Sequence, residues 1–202
     1  MASLRSGPCH WKEKKMNVRW IGRILRGVRA GDRRSASNHA TLLGVPEVIL
    51  LKSEWFLNGE QMPLRSAGIG VGENISPPLS WSGVPTGTRE LAIIMEDPDA
   101  PLPWPFVHMI AYRIAADQVG FAEGALARVA RGMAFGKSTA GAQGYMGPRP
   151  ISGHGPHRYI FQILALSRRT AFSSAPKIKV FLDGISGTVI GRGMLIGIYE
   201  QL

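Results

Sequence analysis

Three short stretches carry the side chains that could act together: Glu96-Asp97-Pro98-Asp99-Ala100-Pro101, the histidine at 108, and residues 144–159, which hold His154, His157 and Tyr159. The acids follow directly on the apolar run Leu91–Met95 (LAIIM), so they stand where a buried strand leaves its sheet, and two prolines stiffen that turn. His108 lies inside FVHMIAYRI, where period-two alternation puts it on one face with Phe106, Ile110 and Tyr112. His157 and Tyr159 share a strand face with Phe161 and Ile163. They follow GYMGPRPISGHGPH, whose glycines allow backbone N–H groups to approach a ligand closely.

Taken singly, each stretch has an ordinary reading: a solvated acidic turn, a core histidine, a long connection. Together they describe one rim on which carboxylates, imidazoles and a phenol converge, a place to hold a ligand. No nucleophile is presented: there is no G-x-S-x-G elbow, and the single cysteine, Cys9, lies far from these motifs. The enzyme alternative is a metal-assisted hydrolase built on His108, His154, His157 and the two aspartates. His154-x-x-His157 offers two ring nitrogens, although zinc-binding pairs favour other spacings and a helix or hairpin context. The favoured reading is a binding site that calls for no metal and no cofactor.

The elements that must position these residues are mostly strands. The chain of 202 residues is 45% hydrophobic and 19% charged, enough apolar material for one real core, and its 25 glycines and 14 prolines punctuate short apolar runs. No run approaches the roughly 18 apolar residues of a membrane-spanning helix. Strands are expected over residues 48–53, 55–57, 91–95, 106–114, 158–166 and 194–200. Val180, Phe181, Ile185, Thr188 and Val189 recur at helical spacing and predict a helix over 177–190. Strands without regularly intercalated helices indicate an antiparallel, mainly β architecture.

The net charge of +10 does not mark a nucleic-acid binder. Residues 1–46 hold 10 of the 24 basic and 2 of the 14 acidic residues, +8, and the remainder is 14 − 12 = +2, without a basic stripe interleaved with aromatics. Residues 1–15 read as a disordered leader or, with Met16 as the true start, as an upstream start choice. Over 17–31, Trp20, Ile21, Ile24, Leu25 and Val28 form an apolar stripe among arginines: a basic amphipathic helix, expected to dock on its own domain, with an anionic membrane surface or a partner as alternatives. Arginines interrupt every stretch that could serve as the core of an export signal, so the default compartment is the cytoplasm. Residues 32–38 (DRRSASN) read as a linker, and 16–44 together as an appendage to a domain spanning 45–202.

Asp97-Pro98-Asp99-Ala100-Pro101, then His108, Gly147-Pro148 and His157-Arg158-Tyr159, with ISPPLSWSGVPTGTREL at 75–91, resemble the phosphatidylethanolamine-binding protein family in its bacterial, Raf-kinase-inhibitor-like branch. The resemblance covers roughly 45–202. It implies two antiparallel sheets with Greek-key connections and few peripheral helices. It also implies a small surface cavity for phosphoryl head groups and similar anions, lined by Asp97, Asp99 and His108 on one side and Pro148, His157 and Tyr159 on the other. A regulatory role through protein partners and a homodimer go with the family. Carboxylates repel phosphate, so such a pocket requires a proton shared between acid and anion, or an imidazolium kept charged by Asp97 or Asp99.

Overall fold

The computed structural model describes residues 19–127 and 132–202. The expectations for residues 1–15, for Met16 and for the first residues of the amphipathic helix lie outside that range. Among the described residues nine strands follow in order: β1 (Leu50–Lys52), β2 (Glu60–Gln61), β3 (Leu79–Ser82), β4 (Glu90–Asp97), β5 (Phe106–Ile114), β6 (Gly120–Phe121), β7 (Ala134–Phe135), β8 (His157–Leu166) and β9 (Val189–Tyr199). Two short helices accompany them, α1 (Arg19–Leu25) and α2 (Ile178–Gly184). A six-stranded sheet runs β2-β9-β8-β4-β5-β7 and a three-stranded sheet runs β1-β3-β6. Every pairing between named strands is antiparallel except β2 with β9. The chain is mainly β.

β4 is apolar without alternation because both of its faces are covered, and all eight of its residues are buried. Leu91, Ile93 and Met95 face the small sheet, in a core with Trp81, Phe161 and Leu195. Ala92 and Ile94 face the other way, into a second core completed by Phe181 and Leu182 of α2 and by Ala36 and Leu42. Ala36 shows that residues 32–38 do not serve as a linker, and Leu42 that the packed structure begins before residue 45. The Ser35 hydroxyl and the Ala36 N–H donate to the carboxylate of Glu96, at 2.9 Å for Ala36, and Arg34 donates to the Pro103 carbonyl at 2.7 Å. Glu96 is buried on this face, and that burial raises its pKa. The segment that satisfies it is therefore part of the packed structure.

Three sequence expectations need correcting. The helix expected over 177–190 stops at Gly184; Val189 and Ile190 open β9, whose long pairing with β8 overrides local helical spacing. Trp55–Leu57 forms no strand. The amphipathic helix does not dock through its apolar stripe: Trp20, Ile24 and Val28 are 56%, 69% and 47% exposed. The docked face is centred on Gly22, which is buried, with Ile21 and Leu25 half-buried beside it. A Cβ at Gly22 would collide with the Ser152 carbonyl oxygen, so the missing side chain is what lets α1 lie against the 152–154 loop.

Candidate functional site

The site sits on the small-sheet face of the large sheet, where β4, β5 and β8 end together. Odd-numbered residues of β4 and β8 point to this face, which brings Asp97 beside His157 and Tyr159. β5 needs a device to join them. Met95 pairs with Met109 and Glu96 with Val107, so His108 is an extra residue in the ladder, a β-bulge. His108 and Met109 consequently face the same side, while Ile110 and Tyr112 belong to the opposite core. Strict alternation, which grouped His108 with those two, fails here for this reason. The bulge turns the His108 ring onto Tyr159, centroid to centroid at 5.2 Å, and leaves Phe106 beside it at 4.8 Å.

Four polar groups form one hydrogen-bonded chain. Asp97 Oδ2 lies 2.7 Å from His157 Nδ1, His157 Nε2 lies 2.7 Å from His154 Nδ1, and His154 Nε2 lies 3.2 Å from the Val28 carbonyl oxygen. The far end fixes the protons. A carbonyl only accepts, so His154 carries a proton on Nε2; each of the other two links then needs one proton as well. Three protons on these groups is one more than a carboxylate and two neutral imidazoles hold. The cluster is therefore an imidazolium–carboxylate pair, or its neutral equivalent, with no net charge. Burial and the neighbouring His157 lower the pKa of His154, which leaves the extra proton between Asp97 and His157. Both nitrogens of His157 are thereby occupied, and it presents only its ring to the cavity.

Two groups remain for a ligand. His108 Nδ1 lies 2.7 Å from the Met146 carbonyl, so it must donate there, and burial lowers the pKa of the ring. Neutral His108 thus holds its Nε2 lone pair available. Tyr159 is fully buried, and its hydroxyl has no acceptor, although the backbone of Arg149 approaches its oxygen. Burial first, and then the nearby Asp97 charge, raise its pKa, so the hydroxyl keeps its proton as a donor. An orphaned buried hydroxyl costs roughly 1–3 kcal/mol. Both groups line an open cavity of about 660 Å³, along with Asp97, His157 and Arg149.

Asp99 is placed elsewhere. Its carboxylate turns from the cavity to Arg158, which donates from Nε at 2.8 Å, from a terminal nitrogen at 2.9 Å and from its backbone N–H at 2.9 Å, while Arg29 adds an ion pair at 3.0 Å. Burial alone would push the Asp99 carboxyl up, but these bonds outweigh it and bring the pKa down to about 2. Pro148 does not line the cavity either; its carbonyl accepts from Gly68 N–H at 2.8 Å and holds the wall together. Both were expected to face the ligand.

Sequence reasoning missed Arg149 and Asn74, which also line the cavity. Arg149 is the exposed cation at the mouth, and it stands inside the GPRPISGHGPH run already singled out. Asn74 adopts φ 56°, a left-handed conformation that asparagine tolerates better than most residues. From there its Oδ1 accepts from Gly147 N–H at 2.8 Å and fixes the loop. Its signal was faint, a lone asparagine in a loop-rich stretch. For a metal the arrangement offers little: His154 and His157 spend their nitrogens on each other, on Asp97 and on Val28. Among the described residues, no group of three His, Cys, Asp or Glu could hold an ion. No helix among the described residues is long and apolar enough to cross a membrane.

Comparison with known proteins places this geometry. A family model described as phosphatidylethanolamine-binding protein matches residues 52–200. A UPF0098 protein of Methanothermobacter thermautotrophicus is 39% identical over 154 residues, 75% of this chain and 98% of that protein. Among solved structures, a phosphatidylethanolamine-binding protein homologue of Chlamydia trachomatis superposes with a TM-score of 0.70 at 31% identity, covering 77% of this chain and 99% of the other. Escherichia coli YbcL does so with a TM-score of 0.69 at 28% identity and the same coverage.

Proposed function

The chain belongs to the phosphatidylethanolamine-binding protein family, and on that premise we propose that it is a non-enzymatic binding protein for a small anion or phosphoryl head group that carries one acidic proton. The observation that carries this reading is the buried Tyr159 hydroxyl, which lacks an acceptor, on the same cavity wall as His108, whose ring meets the Tyr159 ring at 5.2 Å between centroids and whose Nε2 is unengaged. The hydroxyl donates to an anionic oxygen. The imidazole accepts from a P–OH, or takes that proton and pairs with the dianion; the proton count is the same either way. The electrically neutral Asp97–His157–His154 chain removes the repulsion that a bare carboxylate would impose, and Arg149 adds a positive charge at the entrance.

The lack of a positioned nucleophile and the engaged nitrogens of His154 and His157 support binding over hydrolysis. Ile69 and Leu102, both cavity-lining and exposed, give the mouth an apolar edge suited to a protein partner, in keeping with a cytoplasmic regulatory role. Calorimetric titration with inorganic phosphate tests the reading. Saturable binding that weakens as pH rises from 6 to 8, by up to about tenfold per unit once a full proton is taken up, is expected. Affinity that rises across that range would refute it.

A further inference from the structure

The N-terminal arm, residues 19–44, reaches the site at His154 Nε2, through the carbonyl oxygen of Val28 with the backbone of Leu25 beside it. The rest of the arm is tied down around it. Gly22 lies against the 152–154 loop, Arg29 donates to the Pro156 carbonyl at 3.1 Å and pairs with Asp99, and the N–H groups of Ala30 and Gly31 donate to the carbonyls of Ala100 and Pro98 at 3.0 and 2.8 Å. The arm thus grips the backs of both loops that carry the site, and it lies outside the 52–200 span matched by the family model.

We infer that docking of this arm sets the charge of the pocket wall, with His154 as the positioning residue that transmits it. While the Val28 carbonyl receives Nε2–H, the three links need three protons: with His154 neutral, as its burial favours, it accepts from His157, and His157 shares a further proton with Asp97. With the arm released, His154 is free to take the other tautomer and donate from Nδ1 to His157. His157 then donates its single proton to Asp97, every bond in the chain is satisfied with one proton fewer, and the wall carries a net negative charge. Docking is therefore linked to uptake of one proton and to a wall that tolerates an anion, and by reciprocity a bound anion holds the arm down. The titratable and charged groups facing this chain are Asp97 on β4, His108 on β5, Tyr159 on β8, Arg29 on the arm, and the Asp99–Arg158 pair behind it.

The affinity part of this inference rests on the anion reading above; the protonation part does not, and the experiment separates them. In the full chain, nitrogen-detected NMR of the histidine rings should show His157 protonated on both nitrogens, or sharing a proton with Asp97, as the hydrogen-bond count requires. Gly22→Leu, which drives α1 off the 152–154 loop, should return His157 to a singly protonated ring at neutral pH and weaken phosphate tenfold or more. Should that variant fold poorly, His154→Leu and His154→Gln provide the same test. Leucine breaks the chain and lowers the pH midpoint for phosphate; glutamine, whose amide donates to Val28 while its oxygen accepts from His157, restores the wild-type profile. Singly protonated His154 and His157 in the wild type at pH 7, with no proton on Asp97, overturn the proton count. Unchanged His157 protonation in Gly22→Leu, with His154→Leu and His154→Gln alike, overturns the control by the arm. Absence of phosphate binding to the wild type would refute the anion reading alone, with the ring protonation still deciding the rest.

Discussion

The backbone N–H of Asp99 donates to Oδ1 of Asp97 at 2.8 Å, while the Asp99 carboxylate turns away to Arg158. Two acids separated by one proline thus serve different structures. Asp97 belongs to the cavity and its proton chain. Asp99 is the post to which the arm and β8 are fastened.

That division predicts opposite phenotypes. Asp99→Asn should cost roughly 1.5–3 kcal/mol of stability, the range for hydrogen bonds to charged groups, and, by loosening the arm, move the pH midpoint of phosphate binding down while keeping its steepness. Asp97→Asn should instead make that profile shallower, leaving only the contribution of the ligand's own proton, because an amide donating to His157 Nδ1 removes the wall's need for an extra one. Urea unfolding measures the first, and calorimetry at several pH values the second. Matching pH profiles for the two variants would contradict the assignment.

Tyr159→Phe removes a buried hydroxyl that has no acceptor in the folded protein. Its stability should equal or exceed that of the wild type, while phosphate affinity falls about tenfold, the equivalent of one hydrogen bond of about 1.4 kcal/mol. A clear loss of stability in urea would show that the hydroxyl already has a structural partner.

The low pKa of Asp99 gives the arm a defined acid limit. A carboxyl depressed on folding stabilises the folded form fully above its unfolded value, near pH 4, and the contribution is lost as pH falls toward about 2. Hydrogen exchange at Ala30 and Gly31, whose N–H groups bond the Pro98–Ala100 turn, should accelerate across that window, beyond the intrinsic pH dependence of exchange, before β4 and β8 are exposed.

Leu42→Ala should destabilise the domain by about 2–5 kcal/mol, as expected for emptying a fully buried leucine site. A near-neutral effect would return residues 32–44 to the status of an appendage.

Much of this arrangement was legible in the chain. LAIIM could only be a strand covered on both sides, and the acid turn, the strand histidine and the Gly/Pro run announced a rim by their order alone. What stayed hidden depended on partners distant in sequence. Strict alternation cannot see an extra residue in a ladder, so the aim of His108 was misread. Nothing near Asp99 reveals that Arg158 will claim it. The apolar stripe of α1 promised burial, but the sequence gives no weight to what the lack of a side chain at Gly22 permits. Segment 32–38 reads as polar and loose until Glu96, buried on the far face of β4, is known to need donors.

The bond from His154 to Val28 also fixes an order of events during synthesis. Its two residues are 126 positions apart, so at about 5–20 residues per second the arm leaves the ribosome roughly 6–25 s before its partner exists. Through that interval Ala36 and Leu42 lack the sheet they later cover. The nascent chain therefore passes through a stage that offers sticky apolar segments to chaperones, and ligand capture begins only once the last third of the polypeptide has closed over the first.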